Sequence, residues 1–240
     1  MKVIICEDYD ELSREAFKII KDALDKKPNL VLGLATGSSP IGLYKEMIKD
    51  HEVNKTSYKD VVSYNLDEYV GIDENHSQSY RTFMNENLFN GIDIDINNTH
   101  VPKGDTLEDA LAYEKSLPQI DIQVLGIGKN GHIGFNEPNT PADSLTHIVD
   151  LTMNTREANA RFFDDDVTKV PKAAITMGIG TIMRSKKIIL VANGLGKSEA
   201  VKAMIEGMVT PSVPASILQK HDDVTIILDK DAASLLEKEY

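Results

Sequence analysis

The sequence predicts an α/β fold, Rossmann-like, with a mostly parallel sheet, helices on both faces and a single domain. Three observations predict it. Short apolar runs alternate with longer amphipathic runs along the whole chain. Most apolar runs are continuous rather than alternating, as in strands buried on both faces. Four polar, glycine- or carboxylate-bearing segments directly follow such runs, where ligands of open α/β sheets collect.

Lys2–Cys6 (KVIIC) reads as a first strand. Asp10–Lys27 follows, with Leu12, Ala16, Ile19, Ile20, Ala23 and Leu24 on one helical face. Leu30–Ala35 is a second strand, running into Thr36-Gly37-Ser38-Ser39-Pro40. Ser39 suits an N-cap and Pro40 the first helical turn, so a helix is expected from there to about Asp50. Val61–Leu66 is a third strand and ends at Asp67. Residues 78–89 and 107–117 read as helices, and Ile120–Leu125 as a strand that continues into a glycine-rich loop. Leu145–Leu151 reads as a strand and Asn154–Phe163 as a helix. Ala173–Met177, Ile188–Ala192 and Val224–Leu228 have strand character, and helices are expected over 197–208 and 231–238. No repeat, low-complexity tract or linker divides residues 1–240. The stretch 136–144, rich in Pro, Asn and Asp, reads as a site loop.

Bulk properties exclude several classes. The 240 residues carry a net charge of −12, against a basic nucleic-acid surface. An anionic ligand must therefore be held by a local positive site against the overall field. The single cysteine, Cys6, cannot form an internal disulfide, which fits a reducing compartment. No apolar run approaches membrane-spanning length, and MKVIICEDYDE turns acidic too early for a signal peptide. A cytoplasmic protein is the expectation, without nucleic-acid or membrane partners.

The candidate site residues fall at the expected strand ends. Thr36–Ser39 offers three hydroxyls and backbone N–H groups at a helix start, which suits phosphate, although an ordinary capped helix has the same look. Gly126-Ile-Gly128-Lys-Asn-Gly131 matches G-x-G-x-x-G, and Asp150 lies near ribose-binding spacing, but Pro138 and Pro141 deny it the helix a dinucleotide site requires. The glycines instead let the loop bring its backbone close to a ligand. Gly196-Lys197-Ser198 ends like a Walker A loop, yet Val191 stands where its first glycine belongs, leaving Lys197 as a point charge for a phosphate or a solvated lysine. Asp67 and Glu68 are adjacent, so in an extended segment only one faces the site. A partly buried carboxylate there can act as a general base, or the pair can cap a turn. His132 and Glu137 lie five residues apart, an imidazole with a carboxylate able to orient it. Arg156 and Arg161 lie on the helix expected at 154–163, and local sequence leaves open whether either meets an anion. The remaining histidines show no metal spacing, and no metal is expected. Read this far, the residues describe an enzyme acting on a sugar phosphate or another small anion.

The segments LGLATGSSP, YNLDEYVG, LGIGKNGHIGFNEP and TREANARFF, with the Lys197 region, resemble the isomerising glucosamine-6-phosphate deaminases, in order and over nearly the whole chain. The resemblance implies one glucosamine/galactosamine-6-phosphate isomerase-like domain over 1–240. It implies conversion of α-D-glucosamine 6-phosphate and water to fructose 6-phosphate and ammonia, in amino-sugar (N-acetylglucosamine) catabolism and without a cofactor. On this reading Asp67 is the base that carries the C2 proton to C1. His132 opens the ring, oriented by Glu137 and neighboured by Asn130. Thr36, Gly37, Ser38, Ser39, Arg161 and Lys197 form the phosphate site. Two departures stand out. Many members have Asp where this chain has Asn130, which cannot hold a charge on His132. The allosteric members bind N-acetylglucosamine 6-phosphate through basic residues after NEP and have a longer tail. Here that segment reads NTPADSLTHIVDLT, with His147 and Val149 at the corresponding positions, and the sequence ends at Tyr240. The short, non-allosteric type is expected, as a monomer or small homo-oligomer. The competing expectations are a 6-phosphogluconolactonase, disfavoured by NLDEYVG, and a non-catalytic sugar-phosphate sensor, disfavoured because the first strand at Lys2 leaves no room for a DNA-binding segment.

Overall fold

The computed structural model describes residues 1–151, 153–160 and 163–240. Ten strands are present among them: β1 (Lys2–Cys6), β2 (Val31–Leu34), β3 (Val62–Asn65), β4 (Asp67–Tyr69), β5 (Thr99–His100), β6 (Ile122–Leu125), β7 (His147–Asp150), β8 (Ala173–Thr176), β9 (Lys187–Ala192) and β10 (Val224–Asp229). The α-helices are α1 (Tyr9–Leu24), α2 (Ile41–Asn54), α3 (Tyr80–Asn87), α4 (Leu107–Ser116), α5 (Met153–Ala160), α6 (Ile179–Met183) and α7 (Ser198–Ile205).

Seven strands form one sheet in the order β1-β10-β9-β6-β2-β3-β5, and every pairing in it is parallel. The order of strands reverses between β2 and β6, the point beyond whose carboxyl ends open sheets of this kind bind ligands. The sheet is buried on both faces, and successive residues alternate between two cores. Ile189, Val191 and Ile227 face a core with Leu12, Ala16 and Ile20 of α1 and Leu43 and Met47 of α2. Ile188, Leu190 and Leu228 face another with Val201 and Met204 of α7, Ile182 of α6 and Leu218. The period of two explains why these strands read as unbroken apolar runs.

A second sheet, β4-β8-β7, is antiparallel. β4 is too short to register as a strand, because Leu66–Tyr69 looks like the tail of the preceding one. Ala173–Thr176 reads as another buried strand, and only tertiary pairing assigns it to the small sheet. β5, with two residues, and α6, with five, are also below what periodicity can show.

Three boundaries differ from the sequence reading. Ser39 does not cap α2: Pro40 holds the N-cap position without a side-chain hydrogen bond, and the Ser39 hydroxyl meets Asn193 Oδ1 at 3.1 Å. That helix runs on to Asn54, ending at Lys55 in the left-handed region (φ 58°). No helix forms at 231–238. Asp229 accepts from the Ala232 N–H, and the Glu206 carboxylate takes the Glu237 and Lys238 N–H groups, so these donors are satisfied without helical bonds. Two other helices carry ordinary caps, which the sequence reading did not name. Asp8 caps α1, accepting from the Glu11 N–H at 2.8 Å, and Thr106 with Asp109 forms a capping box on α4.

Candidate active site

β4 begins at Asp67, and its period of two sends Asp67 and Glu68 to opposite sides. Glu68 accepts from the Tyr69, Tyr80 and Arg81 N–H groups, so it caps α3. It lines a cavity of about 430 Å³ with Arg81 and His100. Asp67 is 6% exposed, and its carboxyl has no hydrogen bond among the described residues. Burial, with a smaller push from the Glu68 charge, raises its pKa to about 8. The carboxylate is therefore a far stronger base than an exposed aspartate.

The loop after β6 packs beside Asp67 at Gly134. Gly128 N–H donates to the His132 carbonyl at 2.9 Å, and Gly131 N–H to the Gly128 carbonyl at 3.0 Å, folding the loop on itself. A Cβ on Gly128 would lie 2.1–2.3 Å from atoms of the His132 ring, so glycine there makes room for the imidazole. Asn130 Nδ2 donates to Glu137 Oε2 at 2.6 Å, while Asn130 Oδ1 lies 2.7 Å from His132 Nδ1. With the amide oriented by Glu137, its oxygen accepts from Nδ1–H. The neutral imidazole is then the Nδ1–H tautomer, with Nε2 bare. Glu137 Oε1 lies 3.7 Å from the same Nδ1. Asn130 thus links the imidazole and the carboxylate. Burial lowers the His132 pKa; Glu137 opposes the shift and Lys197 adds to it.

Of the remaining predicted residues, Lys197 reaches this loop. Lys197 Nζ donates to the Ile127 carbonyl at 2.6 Å, and burial, with Lys129 nearby, lowers its pKa. Ser39 is tied to the same strand end through Asn193. Gly37 takes φ 90°, open to glycine, and Thr36, Gly37 and Ser38 are exposed or half-buried at the start of α2. Arg161 lies outside the described residues. Three supports were missed by sequence reading. The Asp229 carboxylate accepts from Gly194 N–H, holding the turn before Lys197 at φ 83°. The Tyr9 hydroxyl accepts from Gly42 N–H and lies 2.9 and 3.0 Å from the Ser38 and Ser39 carbonyls. Asn193 completes the set. Each is remote in sequence from its partner, and no local pattern signals it.

A parallel sheet carrying a buried carboxylate at one strand end, beside a loop with an imidazole–amide–carboxylate chain, defines a class of sites able to move protons on small polar substrates. A family model described as glucosamine-6-phosphate isomerases/6-phosphogluconolactonase matches residues 7–227, and the chain belongs to that family. A glucosamine-6-phosphate deaminase of Mycoplasma mycoides is 52% identical over 98% of each chain. One of Clostridium perfringens is 49% identical over 99% of this chain and all of its own length. Among solved structures, a monomeric glucosamine-6-phosphate deaminase superposes with TM-score 0.94 at 46% identity, covering 98% of this chain and 100% of that one. A 6-phosphogluconolactonase from Trypanosoma cruzi shares the fold at TM-score 0.79 and 22% identity, over 99% of this chain and 97% of that one.

Proposed function

We propose that this protein is a glucosamine-6-phosphate deaminase that opens the sugar ring at His132 and moves the C2 proton with Asp67. The observation that carries the reading is a buried Asp67 carboxyl, without a hydrogen bond among the described residues, lying beside Gly134 of the loop that carries His132. Full-length relatives at about half identity bear the deaminase name.

The chemistry follows in order. His132 Nε2 takes the proton from O1 and returns it to O5, giving the open-chain aldehyde. Asp67 then removes the proton from C2 and delivers it to C1, while O1 takes up a proton and the ammonium nitrogen gives one up. An iminium is left at C2, which water hydrolyses to the ketone and ammonia. The substrate ammonium at C2 supplies a positive charge beside Asp67. That charge draws the raised pKa down on binding and leaves the carboxylate ionised when it is needed. Thr36–Ser39 and Lys197 hold the phosphate through N–H groups, hydroxyls and one cation, with Arg161 assigned to the same group. The protein acts in the cytoplasm, as a monomer or small homo-oligomer, like the monomeric deaminase it superposes on. Its rate follows a hyperbola in substrate, unchanged by N-acetylglucosamine 6-phosphate; a sigmoidal curve straightened by that compound would overturn this part.

The test is ammonia release from glucosamine 6-phosphate by the wild type and by Asp67→Asn. Release by the wild type alone supports the reading. Equal release by both removes Asp67 from the proton transfer. Release by neither, with the sugar phosphate bound, points to lactone hydrolysis, which 6-phosphogluconolactone then tests.

A further inference from the structure

Asp67 and Thr176 are directly opposed partners in the antiparallel pairing of β4 with β8. Opposed residues project to the same face with their Cβ atoms about 4.5–5.5 Å apart. Thr176 is completely buried. Its hydroxyl accepts from the Phe135 N–H at 3.1 Å and donates to the Met177 carbonyl at 3.3 Å. Phe135 belongs to the loop that carries His132 and Glu137. The residue before it, Gly134, has φ 57°, and a Cβ there would lie 2.9 Å from Thr176 Oγ1 and 3.3 Å from Asp67 Oδ2. The loop backbone therefore lies directly on the carboxyl and on its cross-strand neighbour. Asn136 pins the loop's far side, its Nδ2 donating to the Ile133 and Met177 carbonyls at 2.8 Å each.

From this geometry we infer that Thr176 is a positioning residue for the base: its hydroxyl clasps the Phe135 N–H, so that the Gly134 backbone covers the Asp67 carboxyl and keeps water from it. This rests on the reading of Asp67 as the base. The direction of the two hydrogen bonds is the point. Thr176 donates its proton to a carbonyl rather than to Asp67. It holds the loop down without stabilising the carboxylate, and a hydroxyl donated to Asp67 would weaken the base instead. The titratable groups that act on Asp67 or feel its charge are Glu68, on its own strand but the opposite side, Tyr80 from α3 and Tyr113 from α4. Burial holds both phenols well above their usual range, so they are neutral through the working pH. Asn136 and Thr176 are uncharged. Exclusion of water is then the dominant influence on the carboxyl, with Glu68 second.

The test is titration of the Asp67 side-chain carboxyl by carbon NMR in the ligand-free protein, assigned with Asp67→Asn. It compares wild type, Thr176→Val and Thr176→Ser. The valine is isosteric but cannot accept from Phe135, whereas serine can. The expected result is a Thr176→Val carboxyl that titrates about two units or more below wild type, with Thr176→Ser within about half a unit of it. A Thr176→Val carboxyl that titrates with wild type, or a Thr176→Ser one that falls as far, overturns the proposal and leaves Thr176 as packing. Thr176→Ala serves in place of valine if that variant does not fold, with the same expectation. No substrate is needed, so the outcome stands whether or not ammonia is released. Where it is, the acid limb of the kcat/KM profile moves down with the titration in Thr176→Val and stays in Thr176→Ser.

Discussion

Two side chains at the site are shifted in opposite directions by the same condition, burial. Asp67 is buried, with no hydrogen bond among the described residues and the Glu68 charge nearby, so its proton is held tightly. His132 has burial and a neutral amide at Nδ1, so its proton is held loosely. Asn130 makes the second shift possible, since its oxygen accepts from Nδ1–H without carrying charge. Asn130→Asp places a carboxylate there and is expected to raise the His132 pKa by about one unit or more. Imidazole NMR titration checks this; an unmoved titration would show that Glu137 alone governs the ring. Lys197→Ala is expected to raise KM for glucosamine 6-phosphate at least tenfold, about 1.4 kcal/mol of binding, with kcat much less affected. Equal losses in both constants would place Lys197 in the transition state rather than in phosphate binding.

At the scale of elements, the loop after β6 is the part that converts a sheet into a site. Gly128→Ala brings a methyl within 2.1–2.3 Å of the His132 ring and must displace it. Activity is expected to fall about a hundredfold while the thermal transition survives, because a misplaced acid–base group costs rate before it costs folding. Normal kcat in that variant would free His132 from its assigned role. Away from the loop, Glu114 on α4 accepts from the Thr146 N–H and hydroxyl and from the Thr181 hydroxyl, and pairs with Arg184. It ties α4 to the segment entering β7 and to α6. These bonds hold the Glu114 pKa below its usual value despite burial. A lowered carboxylate stabilises above its unfolded pKa, and that stability disappears as pH falls through the folded value. Glu114→Ala is expected to cost about 2–3 kcal/mol in urea unfolding at pH 7 and progressively less in acid. A cost that does not shrink in acid would mean the loss is packing.

Over the whole molecule, Asp67 works against stability. Its folded pKa lies above the unfolded one, so between about pH 4 and 8 the native state keeps a proton the unfolded chain has lost. Stability therefore falls as pH rises through that window. Asp67→Asn removes the dependence and is expected to gain at least about 2 kcal/mol more relative to wild type at pH 8 than at pH 4. Parallel unfolding curves for both proteins at both pH values would show that the carboxyl is hydrated. Asp121 acts in the opposite sense at the far end of the sheet. It pairs with Lys27 and Lys186 and accepts from the Val31 N–H, which holds its pKa low although burial opposes this. Its contribution is present at neutral pH and is lost in acid.

The sequence by itself determined the parallel sheet, its two covered faces and the placing of Thr36–Ser39, Asp67, Gly126–Glu137 and Lys197 at strand ends. These follow from local periodicity, which the hydrophobic effect imposes over a few residues at a time. It also determined that Asp67 and Glu68 face opposite ways, since the pleat alone requires that. Only long-range packing sets which of the two buried carboxylates keeps hydrogen bonds and which has none among the described residues, the split of β4, β7 and β8 into a second sheet, and the absence of a helix at 231–238. It alone supplied Asn193, Asp229, Tyr9 and Thr176 to the site. Each of these depends on partners far away in the chain, and a pKa is set by what surrounds a group in space, which no local pattern of residues records.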